Sequence, residues 1–240
     1  MERIPDSIAA AASQRNRLLG VLAETQRARV LAGAMLADLE FHRVIYREEG
    51  GIPAVYFPVD AVFSILVGAE GEPSVEVATI GNEGLVGAGA VLSVPRSIGR
   101  TIVQVSGQAI SIPARTAAQL LCDVPDFSLL LHRYLYAFIR QIAQGGACNR
   151  LHTAEQRCAR WLLLTQDRAG TDRLELTQDF LAAMMGARRP TVNQALSILR
   201  DGGAVEYSYG KLNVVDRGVL ESFSCPCYAI IRKVFEAVRL

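Results

Sequence analysis

LTQDFLAAMMGARRPTVNQALSILRDGG, spanning Leu176–Gly203, decides the reading of this 240-residue chain. Thr177 precedes an apolar run, and its hydroxyl suits the cap of a helix that should reach Met185. Gly186 follows, where a tight inter-helix turn requires positive φ. Pro190 suits the opening of a second helix, which the pattern carries to Arg200 before Gly202 stops it. Ala182, four residues before Gly186, is small enough for two helices to cross there. Val192, Ala195, Leu196 and Leu199 form the stripe such a helix buries. Its other face offers Arg189, Thr191, Asn193, Gln194 and Ser197.

That outer face is polar without being acidic. An arginine can bind guanine O6 and N7 bidentately, and Asn or Gln can do the same with adenine. An α-helix fits the major groove, so the N-terminal residues of the second helix would meet base edges. Ala204–Ser208, Gly210 and Lys211–Val215 then read as a short hairpin with a Tyr-Gly tip. Two helices followed by such a hairpin describe a winged helix-turn-helix, whose wing meets phosphates. A helical hairpin that only packs would explain the small-residue spacing but not the wing. Thr177, Arg188, Arg189, Pro190, Thr191, Asn193, Gln194 and Lys211 are therefore the candidate DNA-binding residues. The net charge is only +1, so affinity for phosphate must come from local placement.

Upstream, Thr153–Arg168 has helical periodicity. Thr153 and Gln156 fit a capping box, and Gly170 closes the helix. Phe127–Asn149 carries two apolar stripes, one of Leu131, Leu135, Phe138 and Ile142 and another of Leu130, Tyr134 and Ile139. A helix apolar on two sides can face its own domain and a partner helix together. We take Leu131, Leu135, Phe138 and Ile142 as its candidate dimer interface. From Val44 to Pro113, short Val-, Ile- and Phe-rich runs alternate with Gly, Pro and Asp: Ala54–Phe57, Ala61–Val67, Ser74–Ile80, Thr101–Val105 and Gln108–Ile112. With a hairpin turn at Gly68–Pro73, they predict an antiparallel roll or barrel. Leu18–Leu39 reads as a helix burying Leu18, Leu19, Leu22, Val30, Leu31, Met35 and Leu39, and residues 1–17 read as a flexible arm.

Taken together these stretches resemble the Crp/Fnr superfamily of bacterial regulators over nearly the whole chain. The most specific parts are VYFP (Val55–Pro58), GNEGLVG (Gly81–Gly87), ACNRLHTAEQRCARWLLLTQDR (Ala147–Arg168) and the helix-turn-helix. The resemblance implies an effector-sensing roll, a dimer helix over Phe127–Asn149 and recruitment or blocking of RNA polymerase. By position it implies that Arg189 is the main base reader, that Gln194 faces bases and that Arg188 approaches phosphate. The sequence departs from the cyclic-AMP-binding members. Ala88 stands where they carry a ribose-binding Glu, and Gly99-Arg100 where they carry an Arg-Ser pair for the cyclic phosphate. Cyclic AMP is thus expected to bind weakly or not at all. Gly87, Ala88, Arg96, Arg100 and Thr101 remain the candidate effector-pocket residues. Pro190 replaces a base-reading polar residue, so half-site preference should differ.

Other chemistry finds little support. The five cysteines are odd in number and too few for a disulfide framework. None precedes Cys122, which removes the N-terminal ligands of an iron–sulfur branch. Cys148 and His152 lie four apart, with Cys158, Cys225 and Cys227 further on. A structural zinc site needs four ligands at defined geometry. A helix break between Cys148 and Thr153 is expected to scatter this set, so no metal is expected. GNEGLVGAG lacks the third glycine of a dinucleotide fingerprint, Leu92 standing in its place, and its glycines read as tight turns. No nucleophile elbow, P-loop, signal peptide or membrane-length apolar stretch is visible.

The expected architecture is α+β: an N-terminal antiparallel β-roll, jelly-roll-like, then a long dimerisation helix and a C-terminal winged helix-turn-helix. The expected boundaries are 1–17, 18–125, 126–150 and 151–240. The expected function is a non-enzymatic, cytoplasmic transcription regulator. It would bind a palindromic site on double-stranded DNA as a homodimer, without a cofactor and away from membranes. The competing reading is a ligand-binding module acting on a protein partner. The effector, the operator and the sign of regulation are not written in the residues.

Overall fold

The computed structural model describes residues 6–69 and 73–238. The chain opens with α1 (Asp6–Arg15), α2 (Arg17–Gly20) and α3 (Glu24–Leu31). The expected arm is therefore helical from Asp6, and residues 1–5 lie outside the described part. Asn16 anchors it. Its Oδ1 accepts from the N–H groups of Leu18 and Leu19, while its Nδ2 donates to the carbonyls of Pro58 (2.9 Å) and Gly84 (3.0 Å). A buried amide with every group satisfied is a fixed point. Nor is Leu18–Leu39 one helix. Gly33 turns the chain at φ +80°, and Met35–Leu39 becomes β1. Leu18, Leu19, Leu22, Val30 and Leu39 do enter the core, but from separate elements.

The roll follows, with β2 (Val44–Tyr46), β3 (Ala54–Pro58), β4 (Val62–Val67), β5 (Val75–Ile80), a short α4 (Ala88–Val91), β6 (Arg100–Val105) and β7 (Gly107–Pro113). Antiparallel pairing gives one sheet in the order β1-β7-β3 and another in the order β2-β6-β4-β5. Phe57, Phe63, Ile80, Ile110 and Ile112 fill the interior. The five expected strands are all present within a residue or two. The turn expected at Gly68–Pro73 falls partly outside the described residues.

After α5 (Ala114–Asp123) comes the long α6 (Pro125–Leu151). Its two faces are divided differently from the expected pattern. Leu131, Leu135 and Phe138 are buried within their own chain, and Ile142 packs partly against the same core. Buried in this way by their own chain, they have little surface left to offer a seam. The outward row is Leu129, His132, Tyr136, Ile139, Ala143, Gly146 and Arg150, every one exposed. Their alternating spacing of three and four is that of a coiled-coil seam.

The C-terminal part contains α7 (Ala154–Ala169), β8 (Arg173–Glu175), α8 (Gln178–Met185), α9 (Arg189–Asp201), β9 (Val205–Ser208), β10 (Lys211–Val214), α10 (Arg217–Phe223) and α11 (Cys227–Glu236). The Thr153–Gln156 capping box opens α7, and Gly170 ends it at φ +65°. A buried junction fastens α7 to the roll and to α6. Arg168 Nε donates to Glu83 Oε1 at 2.7 Å, and its Nη2 donates to Gln141 Oε1 at 2.6 Å. The GNEG glycines make the expected tight turn, the Gly84 N–H donating to the Gly81 carbonyl at 3.0 Å, and they also make room for this junction. A Cβ on Gly81 would lie 2.4 Å from Arg168 Cβ, and one on Gly84 would lie 2.6 Å from the Tyr134 ring. Among the described residues no helix is long and apolar enough to cross a membrane.

Candidate nucleic-acid interface

The helix pair forms as its residues dictate. The Phe180 N–H donates to Thr177 Oγ1 at 3.1 Å, which caps α8. Gly186 closes α8 at φ +57°, a conformation costly for any residue with a Cβ. Val192, Ala195, Leu196 and Leu199 are buried and fix the rotation of α9. Pro190, Thr191, Asn193 and Gln194 are exposed as a consequence, and Ser197 is half-buried. An α-helix advances about 100° per residue, so Pro190, Gln194 and Ser197 lie near the centre of the outward face. Arg189 and Asn193 flank them on one side and Thr191 on the other.

Arg189 is not idle. Its Nη1 stands 3.3 Å from Asp179 Oδ2 of α8, both side chains exposed. An exposed pair of this kind is worth about 0–1 kcal/mol, so a guanine edge can compete for the guanidinium. Asp179 was absent from the sequence reading, and only its place two residues after the Thr177 cap hints at it. Arg188 sits at the N-cap of α9, exposed and without an ion pair among the described residues.

The wing is present and larger than expected. β9 and β10 pair with Lys211 opposite Ser208, and β10 also pairs with β8. β8 escaped the sequence reading because three residues are too few for periodicity to register. Tyr209 and Gly210 turn the hairpin with φ of +48° and +75°, the sign pattern of a two-residue type I′ loop. Tyr209 is a bulky residue held in a left-handed conformation and fully exposed at the tip. Such strain recurs at functional loops. Lys211 is exposed beside it and makes no ion pair among the described residues.

The effector candidates divide. Gly87, Ala88, Arg96 and Thr101 surround one cavity within the roll, together with Tyr46 and Phe138. That cavity holds about 10 Å³, roughly the ~10–15 Å³ that a single water needs. Phe138 therefore belongs to the roll's lining, which is why it is unavailable to a partner. Arg100 points elsewhere. It lines a cleft of about 900 Å³ between the roll and α8, shared with His42, Arg157, Phe180 and Arg188. Across that boundary His42 stacks on Phe180 and Phe41 meets it edge-on, with ring centroids 5.1 and 5.2 Å away.

A second hydrogen-bonded chain crosses from roll to α7. Trp161 Nε1 donates to Glu76 Oε1 at 3.0 Å, and Gln104 Nε2 donates to Thr165 Oγ1 at 2.7 Å. Burial pushes the Glu76 carboxyl above its usual range, against the opposing pull of hydrogen bonds from Ser64, Thr79 and Trp161 and of the Arg160 charge.

Comparison with known proteins agrees with this geometry. Residues 156–223 match a family model described as a Crp-like helix-turn-helix domain. The fold is similar to that of FixK2 from Bradyrhizobium japonicum, with TM-score 0.67, 16% identity, and coverage of 80% of this chain and 98% of that one. It is also similar to a putative Crp/Fnr-family transcriptional regulator from Eubacterium rectale, with TM-score 0.65, 14% identity, and coverage of 88% and 98%. The c-di-GMP-responsive global regulator CLP of Xanthomonas campestris gives TM-score 0.65 at 14% identity, with 81% and 100% covered. No curated protein matches the sequence.

Proposed function

We propose that this chain, a member of the Crp/Fnr superfamily by its Crp-like helix-turn-helix domain and its fold, reads a two-fold symmetric DNA site as a cytoplasmic homodimer and so regulates transcription. One observation carries the reading: the polar face of α9 is exposed beside a three-stranded wing and is left uncovered by the described residues. Arg189 and Gln194 supply base-edge chemistry, with Asn193 and Thr191 flanking them. Arg188, Lys211 and the Tyr209 tip face the phosphates. The domains run as 18–125, 126–150 and 151–240, with α6 as the dimer helix joined along Leu129, Tyr136 and Ile139.

The roll is a sensor, and cyclic AMP is not its ligand, because apolar side chains fill the space around Ala88 and Arg96. An effector acting on the helix-turn-helix has room in the cleft beside Arg100, where Arg157 and Arg188 favour an anion. RNA polymerase is the expected partner at the promoter. The competing role, a module whose helix-turn-helix serves only packing, leaves the bare polar face of α9 unexplained. The test is selection from a random duplex pool with the full-length protein. Enrichment of a palindrome with half-sites about one helical turn apart is expected. Retention of DNA with no enriched sequence would reject specific readout.

A further inference from the structure

The folded chain brings Cys148, His152, Cys225 and Cys227 together, and we propose that they form a zinc site joining the end of the long helix to the C-terminal helix. One ligand atom from each residue lies within 4.8 Å of every other. A helix break well before Thr153, as the sequence pattern predicts, would scatter this set. Instead α6 runs to Leu151, and His152 closes it as the C-cap, its N–H donating to the Cys148 carbonyl at 3.1 Å. Cys148 and His152 thus remain one helical turn apart. The Cys225-Pro226-Cys227 turn that starts α11 supplies the other two sulfurs.

The donors suit zinc in kind and in spacing. Three thiolates and one imidazole make a four-ligand set typical of closed structural sites, with Zn–S near ~2.3 Å. Tetrahedral ligands at such radii stand roughly 3.5–3.8 Å apart. Cys148 Sγ and Cys225 Sγ are 3.5 Å apart, and so are Cys227 Sγ and His152 Nδ1. Two opposite edges of the tetrahedron therefore already have the right length. A disulfide would need about 2.05 Å, and all five cysteines are free.

The surroundings are those of a thiolate centre. Gln144 Nε2 donates to Cys227 Sγ at 3.0 Å, a hydrogen bond that holds a sulfur ligand in place. Binding would hold all three sulfurs as thiolates, the protons of those still present as thiols leaving to solvent, and give the centre a net charge of −1. Arg157 and Arg160 of α7 face Cys148 and offset that charge. The Nε atoms of both arginines are buried without a hydrogen-bond partner. The three cysteines form a small buried cluster separate from the main core, so packing alone gives little reason for them to converge. Placed where α6 hands over to α7, the metal would pin the C-terminal helix to the hinge between roll and winged helix.

The experiment uses the untagged full-length protein, purified anaerobically without chelator. Elemental analysis and native mass should show about one zinc per chain. After zinc removal, titration with Co²⁺ should give thiolate charge-transfer absorption and ligand-field bands of tetrahedral intensity. Cys227→Ser and His152→Ala should lose that spectrum, and Cys122→Ser should keep it. Alkylation of the unmodified protein covers the case in which the variants fold poorly. Zinc should shield the thiols of Cys148, Cys225 and Cys227, and a chelator should expose them. The proposal is overturned by metal at trace level, by cobalt bound without tetrahedral bands, by full cobalt binding in the Cys225→Ser/Cys227→Ser double variant, or by a Cys148–Cys225 disulfide in the anaerobic protein.

Discussion

Arg189 and Lys211 carry different kinds of information, and replacing each should show it. Arg189 opens α9 and is loosely held by Asp179, so its guanidinium can exchange a carboxylate for a guanine edge. Arg189→Ala should cost about 1–3 kcal/mol per half-site and relax preference at one base position. Lys211→Ala should weaken all sequences alike and reduce the salt dependence by about one counterion per subunit. Titration against a selected site, its single-base variants and unrelated DNA at several salt concentrations separates the two. Unchanged base preference in Arg189→Ala would remove α9 as the reading element.

Glu76 is the other informative residue. Ser64 Oγ lies 2.6 Å from Glu76 Oε2 and 2.8 Å from Gln104 Oε1, and a single hydroxyl proton cannot serve both. Gln104 already donates through Nε2, so the chain is satisfied when Glu76 is protonated and donates to Ser64. The raised pKa says the same. A carboxyl raised in the folded state stabilises fully below its unfolded pKa, and that contribution fades as pH rises through the folded value. Glutamine copies the protonated form. Glu76→Gln should therefore match the unmodified protein at pH below the ordinary carboxylate range and exceed its Tm once the pH rises above that range. Parallel melting curves across that range would contradict the assignment.

At the scale of elements, α6 must satisfy its own roll and a second protomer with one sequence. The inward row of Leu131, Leu135 and Phe138 is packed, while Tyr136 and Ile139 stay 64% and 62% exposed. Tyr136→Glu with Ile139→Glu should give a monomer by sedimentation with an unchanged circular dichroism spectrum, since neither side chain supports its own fold. Leu135→Ala should do the reverse, costing about 2–5 kcal/mol of stability through a core cavity while leaving the protomers associated. A monomeric Leu135→Ala protein that kept its stability would place the seam on the other row.

The molecule as a whole is held at a junction where roll, long helix and winged helix meet. Arg168 and Glu83 are 4% and 6% exposed and pair across elements separated by 85 residues. Truncating one partner strands a buried charge, so Arg168→Met should cost about 3–5 kcal/mol. Arg168→Met combined with Glu83→Leu should recover a large part of that loss, because no lone ion then remains inside. Denaturant unfolding of the three proteins measures the coupling. Additive losses in the double variant would show that the pair does not tie the domains together.

Local patterns alone settled a good deal of this protein. The caps at Thr153 and Thr177, the glycine at 186, the buried stripe of α9 and the wing hairpin each follow from neighbours a few residues apart. Their signals survive in a linear string, and the family resemblance rests on them together with the VYFP and GNEGLVG stretches of the roll. What only the tertiary structure decided is everything that depends on distant partners. Met35–Leu39 is a strand because β7 lies beside it, and Asn16 anchors α1 because the carbonyls of Pro58 and Gly84 reach it. Which stripe of α6 faces inward depends on where the roll lies, since periodicity reports that two faces are apolar but not which one is already covered. Gly81 and Gly84 make room for side chains in α7 and α6, and a cysteine pair near residue 226 meets a cysteine and a histidine near residue 150. Convergence across such separations leaves no periodic trace, because the chain between the partners is free to carry any pattern its own elements require.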